Sequence, residues 1–340
     1  MEELLQWMEY IEDVRQEKKV RHKLKDILVI VLFATLANAD DWMEIAQFAE
    51  VYEDYLKKYI RLENGVPSHD TIQRVMGMVS PEALQHLYVK WQELLDSGGG
   101  GLLKKIICID GKTMRGSKKK DEKPLHVVSA WNKEDGFCMG QKAVTEKSNE
   151  ITAIPVLLET IQIKGNIVTI DAMGTQTAIA EKIKEKGCYK KTVEKAHGQV
   201  ETREYYQTGD IKWLEQRKDW KGVKSIIMEC KTLEKEGERL TEYRYFISSL
   251  AEDTELASRA VRGHWSVESM HWHLDVTFRE DYNTTADKTA AQNHNIIRKW
   301  CLSVLKLAEL SLKNKRVSLK KKRFAISLNP IRFLEEVLSV

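Results

Sequence analysis

Four consecutive glycines, Gly98-Gly-Gly-Gly101, separate two stretches whose apolar residues repeat at different periods, and this change limits the fold more than any other feature. Before them, apolar residues recur at helical spacing over 24–37 and 42–59, and Ser68 is placed to cap a third helix, His-Asp-Thr-Ile-Gln-Arg-Val-Met. Ser80-Pro81 opens a fourth, with serine as N-cap and proline at the first helical position. After the glycines, Lys105-Ile-Ile-Cys-Ile-Asp110-Gly reads as a buried strand that delivers Asp110 at its end, into a turn fixed by Gly111. Strands over 125–131 and 137–144 follow across the turn signal Asn132-Lys-Glu-Asp-Gly136, so an antiparallel meander is expected. A helix over 148–159 then leads to Gly165-Asn-Ile-Val-Thr-Ile-Asp171, a strand that again ends in aspartate. A helix between strands is a crossover, which sets this fourth strand parallel to the first and Asp110 and Asp171 at the same end.

Two such carboxylates about 4 Å apart repel by roughly 4 kcal/mol at an effective dielectric of 20, so a cation or a proton has to answer them. Oxygen-only ligands at a strand edge suit Mg²⁺ or Mn²⁺. A third carboxylate stands in Arg262-Gly-His-Trp-Ser-Val-Glu268-Ser-Met-His-Trp-His-Leu-Asp275. At 3.6 residues per turn, His264, Glu268, His271 and Asp275 share one face of a helix otherwise apolar, so Glu268 is expected to be buried against a metal, an ion pair or a polar cleft. From this helix alone, an Arg or Lys partner for Glu268 explains it as well as a metal does. Zinc held by His264, Glu268 and His271 fits the spacing, but it leaves both aspartate-bearing strand ends unexplained and lacks the His-Glu-x-x-His order.

Composition narrows the partners. Five scattered cysteines without a Cys-x-x-Cys pair suggest neither a zinc ribbon nor a disulfide framework and fit a reducing cytosol. The first residues lack the basic start of a secretion signal, and the longest apolar stretch, 27–37, is too short to span a bilayer, so no membrane role is expected. A net charge of +3 does not by itself imply nucleic acid, but Lys118-Lys119-Lys120 and the basic stretch 313–323 are each able to track a phosphate backbone.

Six motifs together resemble the transposases of bacterial insertion sequences of the ISAs group, including the H-repeat-associated proteins. They are Val66-Pro-Ser-His-Asp-Thr-Ile, Ile109-Asp-Gly-Lys-Thr-Met-Arg115, Glu146-Lys-Ser-Asn-Glu-Ile-Thr-Ala-Ile-Pro155, Ile170-Asp-Ala-Met-Gly174, His197-Gly-Gln-Val-Glu-Thr-Arg203 and the run from His264 to Asp275. The resemblance implies an α/β, RNase H-like mixed sheet with flanking helices, preceded by an all-α N-terminal domain. It maps a catalytic and metal-binding triad onto Asp110, Asp171 and Glu268, with Mg²⁺ or Mn²⁺ as cofactor. It implies DNA cleavage and strand transfer at insertion-sequence terminal repeats and target DNA, by a homodimer on DNA, in the cytoplasm and at the nucleoid when bound. Lys112, Arg115, Arg203, His264 and His271 become candidate DNA contacts.

The expected division is a helical domain over 1–97, a glycine linker over 98–101, a core over 102–196 holding Asp110 and Asp171, a β-rich insertion over 197–250, closing helices over 251–312 with Glu268, and a basic tail over 313–340. The sequence departs from the family pattern in two ways. His264 and Asp275 stand where related transposases carry an arginine and a lysine. After the helix expected over 175–186, an apolar strand that the pattern requires is missing, and the stretch 187–196 runs straight into His197. Such an internal deletion costs several kcal/mol, comparable with the stability of a whole domain. It makes a non-catalytic DNA-binding remnant the alternative to an active enzyme.

Overall fold

The computed structural model describes residues 6–96, 105–120, 122–144, 150–163, 165–170, 188–196, 199–212, 214, 217, 220, 222–312 and 317–338. In chain order its regular elements are α1 (Leu24–Leu36), α2 (Trp42–Val51), α3 (Glu53–Leu56), α4 (His69–Met76), α5 (Pro81–Asp96), β1 (Ile106–Met114), β2 (Leu125–Asn132), β3 (Phe137–Val144) and α6 (Glu150–Thr160). There follow β4 (Ile167–Ile170), β5 (Cys188–Ala196), β6 (Gln199–Thr208), β7 (Ser225–Lys235), β8 (Glu238–Ser248), α7 (Thr254–His264) and α8 (Ser266–Trp272). The chain closes with α9 (Lys288–Leu307), α10 (Leu319–Leu328) and α11 (Pro330–Leu338). Cα packing divides it into two compact units, Met1–Asn166 with Ser266–Val340, and Ile167–Trp265. The glycine run and the helix expected over 175–186 lie outside the described residues.

The larger unit is built around α9, which is buried on every side from Asn293 to Leu305. The run Ile27 to Leu36 is likewise buried all round, as its apolar sequence requires, with Thr35 satisfied by the Val31 carbonyl, and α1 packs on α9. The expected helix starts hold. Ser68 Oγ accepts from the Thr71 amide at 3.4 Å, and Ser80 Oγ from that of Ala83 at 3.2 Å. The helix expected over 42–59 is interrupted at Tyr52, which separates α2 from α3.

The meander forms as expected, in the order β3-β2-β1, with both pairs antiparallel. Its helical neighbours tie it to the bundle: Gln92 Nε2 of α5 donates to the Cys138 carbonyl at 2.9 Å, and Lys299 Nζ of α9 donates to Ser129 Oγ at 2.7 Å. The helices that precede the glycines therefore share one core with the strands that follow. One expectation fails. Asp110 is not at a strand end, because β1 continues through Gly111 to Met114 with Asp110 opposite Ser129 on β2.

The stretch read as a basic tail is, where described, two docked helices. Ile326, Phe333, Leu334, Val337 and Leu338 are buried, and Arg323, with none of its surface exposed, donates to Asp40 Oδ1 and the Thr35 carbonyl, each at 2.8 Å. Lys322 Nζ caps α9 by donating to the carbonyls of Leu305 and Ala308.

In the smaller unit, β5-β6-β7-β8 form an antiparallel sheet with α7 against one face through Tyr205, Ile227, Ala257 and Val261. The strands expected over 200–206, 223–231 and 243–249 are present as β6, β7 and β8, but the sheet begins at Cys188, within the expected core. The strand β4, Ile-Val-Thr-Ile, is apolar enough for a central strand, yet only Ile167 is buried and Ile170 is 46% exposed.

Candidate active site

Alternation along β1 puts Asp110 and Lys112 on the face opposite Gly111 and Thr113. Asp110 Oδ1 accepts from the Gly111 amide at 2.8 Å, and Oδ2 lies 3.5 Å from Nδ1 of His271 on α8. Burial, with Lys299 and Lys112 nearby, pushes the His271 pKa down to about 3, so the ring is neutral at physiological pH. Its Nε2 is buried and meets no hydrogen-bond partner among the described residues.

The single helix expected over 262–275 is instead three pieces. The helix α7 ends at His264, α8 starts at Ser266, and His273–Thr277 is π-helical, with the Phe278 amide bonded to the His273 carbonyl at 3.0 Å. Val267, Met270 and Leu274 form the buried side of this run. Glu268 is exposed, which corrects its expected burial, and Trp272 is 54% exposed. His271 therefore serves Asp110, where the sequence had set it beside Glu268.

Lys112 faces an acidic cage: its Nζ lies 2.7 Å from Asp275, 2.9 Å from Glu280 and 3.4 Å from Asp281. Burial works against its charge, but Glu280 and Asp275 outweigh it and raise the lysine's pKa. Burial likewise pushes Glu280 up, and Lys112 and Arg298 overcome it and hold the carboxyl at about 2. Asn295 donates to Glu280 Oε1 at 2.8 Å, which completes the coordination of a fully buried carboxylate. Arg115 is the exposed member of the candidate set, with its side chain 83% exposed and 3.8 Å from Asp281.

On the other face of β1, His126 Nε2 lies 2.6 Å from Glu150 Oε1 and His126 Nδ1 lies 2.9 Å from Thr113 Oγ1. A Cβ on Gly111 would collide with both His126 and Glu150. The glycine is thus required by close packing inside a strand, and the Glu150 of the Glu146 to Pro155 motif supplies the packing partner. Sequence reasoning missed His126 and the roles of Glu280 and Arg298; a histidine and an arginine beside apolar residues are the signal that His126 and Arg298 carried, whereas Glu280, between Arg279 and Asp281, carried none.

In the smaller unit, His264 Nδ1 bonds Thr169 Oγ1 of β4 at 2.9 Å. Asp171, just past β4, lies outside the described residues. Arg203 is buried between Glu201 and Glu229, 2.6 Å from each. Among the described residues no three His, Cys, Asp or Glu side chains group closely enough to hold a metal ion. The oxygen donors Asp110 and Glu268, one half-buried and one exposed, are nonetheless of the hard type that Mg²⁺ or Mn²⁺ takes. No helix among the described residues is long and apolar enough to cross a membrane.

This chain belongs to the DDE transposase family. The family model described as "Transposase DDE domain" matches residues 101–304, and that described as "DDE_Tnp_1-associated" matches residues 5–92. The fold is accordingly mixed α/β with an RNase H-like core; domains of this family generally use divalent metal ions, and transposases act on DNA. The chain is 35% identical to the putative transposase YncI of Escherichia coli O157:H7 over 378 residues, covering 100% of this chain and 95% of that protein. It is 35% identical over 346 residues to the H repeat-associated putative transposase YhhI of Escherichia coli strain K12, covering 90% of each. It is 47% identical over 78 residues to the inactive transposase YbfQ of the same strain, covering 22% of this chain and 93% of that protein. The alignment with YncI is longer than the 340 residues of this chain, so YncI carries residues that this chain lacks. No solved structure matches.

Proposed function

We propose that this chain is a DNA transposase that cleaves and joins strands at the ends of an insertion sequence, with Asp110, Asp171 and Glu268 as its carboxylates. The match of the transposase domain over residues 101–304, which takes in all three, carries the reading. Asp110, Asp171 and Glu268 would hold Mg²⁺ or Mn²⁺, and the bound metal would activate the attacking oxygen and stabilise the leaving one. The chain's own contribution is positional. The Gly111 amide fixes one oxygen of Asp110, and neutral His271 sits against the other, so the carboxylate is oriented from both sides. Arg115 stands exposed for phosphate, whereas Lys112 and Arg203 are committed to internal carboxylates. The chain would act in the cytoplasm, at the nucleoid when on DNA, as a dimer pairing two element ends.

The second reading is a remnant that binds DNA and no longer cuts it. The residues that YncI has in excess and the exposure of Ile170 on an apolar strand favour it. One experiment separates the two: purified full-length chain is incubated with a plasmid carrying the DNA that flanks its own reading frame, with Mg²⁺ or Mn²⁺. Nicking that needs metal and disappears in Asp110→Ala and Glu268→Ala supports the enzyme. Binding of that DNA without nicking supports the remnant, and failure to bind it removes both.

A further inference from the structure

The turn Glu280–Tyr282 after the π-helical segment carries a large aromatic that stands in solvent. Tyr282 is 81% exposed, although its neighbours are anchored: Glu280 is 2% exposed and Asn283 is 8% exposed. Glu280 is held by Lys112, Arg298 and Asn295, and Asn283 Nδ2 donates to the Asp40 carbonyl at 2.9 Å. Gly116 packs so closely on this turn that a Cβ there would strike the Asn283 carbonyl. Arg279 enters the turn in the left-handed region at φ 48°, which costs a side chain about 1 kcal/mol or more. A turn held this firmly does not expose a tyrosine by looseness; it presents it. Beside the turn stand the exposed side chain of Arg115, 3.8 Å from Asp281, and the half-exposed side chain of Arg279, 3.4 Å from Asp40 and 3.6 Å from Glu44.

We propose that Tyr282 stacks on an unpaired base of DNA held at the candidate active site, with Arg115 and Arg279 on the flanking phosphates. Aromatics standing in solvent beside arginines are the pattern by which proteins hold single-stranded or opened nucleic acid, because any base offers a face to stack on. Lys112 ties the turn to β1 two residues beyond Asp110, which places the stacked base close to that carboxylate. The proposal rests on the transposase reading but concerns binding, so cleavage is not needed to test it.

The full-length chain is titrated into a labelled duplex of the DNA flanking its reading frame, and into the same duplex with two unpaired bases at its end, without divalent metal. The opened duplex is expected to bind about tenfold more tightly. Tyr282→Ala is expected to bring that ratio close to one, Tyr282→Phe to keep it, and Phe324→Ala, an exposed aromatic on α10, to keep it as well. An unchanged ratio in Tyr282→Ala overturns the proposal, as does equal binding of both duplexes by the wild type. Loss of a protein dimer in Tyr282→Ala without change in the ratio also overturns it and assigns the surface to a second copy. A ratio that behaves as expected in a chain that never nicks leaves the proposal standing and removes only the cleavage reading. Binding to neither duplex removes both.

Discussion

Glu280 is the residue whose environment is most demanding: a carboxylate without exposed side-chain surface, kept charged by Lys112 and Arg298 against the cost of burial. Its folded pKa, about 2, lies below the ordinary 4.5, so it stabilises the fold fully above pH 4.5 and loses that contribution as pH falls towards 2. Across that window the loss amounts to roughly 3 kcal/mol. The histidines His271 and His294 are also held below their ordinary value, mainly by burial, so their contribution is complete above about 6.5 and falls as acid protonates the unfolded chain. Urea unfolding measured from pH 7 to pH 3 should therefore show stability falling in two stages. Glu280→Gln should be less stable than wild type at pH 7 and should lose the lower stage while keeping the upper one. If its acid profile instead parallels that of the wild type, Glu280 is not the charged anchor of the cage.

At the scale of elements, local signals and long-range ones parted company. Ser68, Ser80 and the turn Asn132 to Gly136 act on residues three or four away, and the helices and the meander they announce are present. Gly111 was misread because a glycine after an aspartate usually marks a turn; here it is a strand residue whose missing side chain makes room for His126 and Glu150, which come from elsewhere in the chain. The run 262–275 was misread because one helical period was assumed throughout, whereas the helix breaks at Trp265 and turns π-helical at His273, with Glu268 exposed and Asp275 2.7 Å from Lys112. Of the candidate site, Asp110 on an apolar strand was legible; its contact with His271 and the cage around Lys112 were not, since their members meet only after folding. Gly111→Ala should push His126 and Glu150 off β1 and cost about 1–3 kcal/mol. Combined with Glu150→Ala it should cost less than the two changes summed, because the second removes half of the clash. Strictly additive losses in thermal unfolding would mean that the strand, and not this contact, sets the need for glycine.

Across the whole molecule burial is unequal. The larger unit closes on itself so fully that a C-terminal helix reaches back with Arg323 to Asp40, whereas the smaller unit keeps an apolar strand half exposed. If the segment expected before His197 is missing, an apolar strand with Ile170 at 46% exposure is the trace it would leave, and YncI, which carries residues that this chain lacks, would hold the missing segment. Grafting the YncI segment that this chain lacks into the stretch 187–196 should therefore raise the unfolding temperature, since covering two or three large apolar side chains is worth about 2–6 kcal/mol. If the deletion also inactivated the chain, the graft should gain metal-dependent nicking that the native chain lacks and should lose it again with Asp110→Ala. A graft that neither stabilises nor activates would show that β4 is satisfied as it stands. Equal nicking by graft and native chain would show that the sheet closes without the missing strand, and the enzyme reading would then hold for the chain as it is.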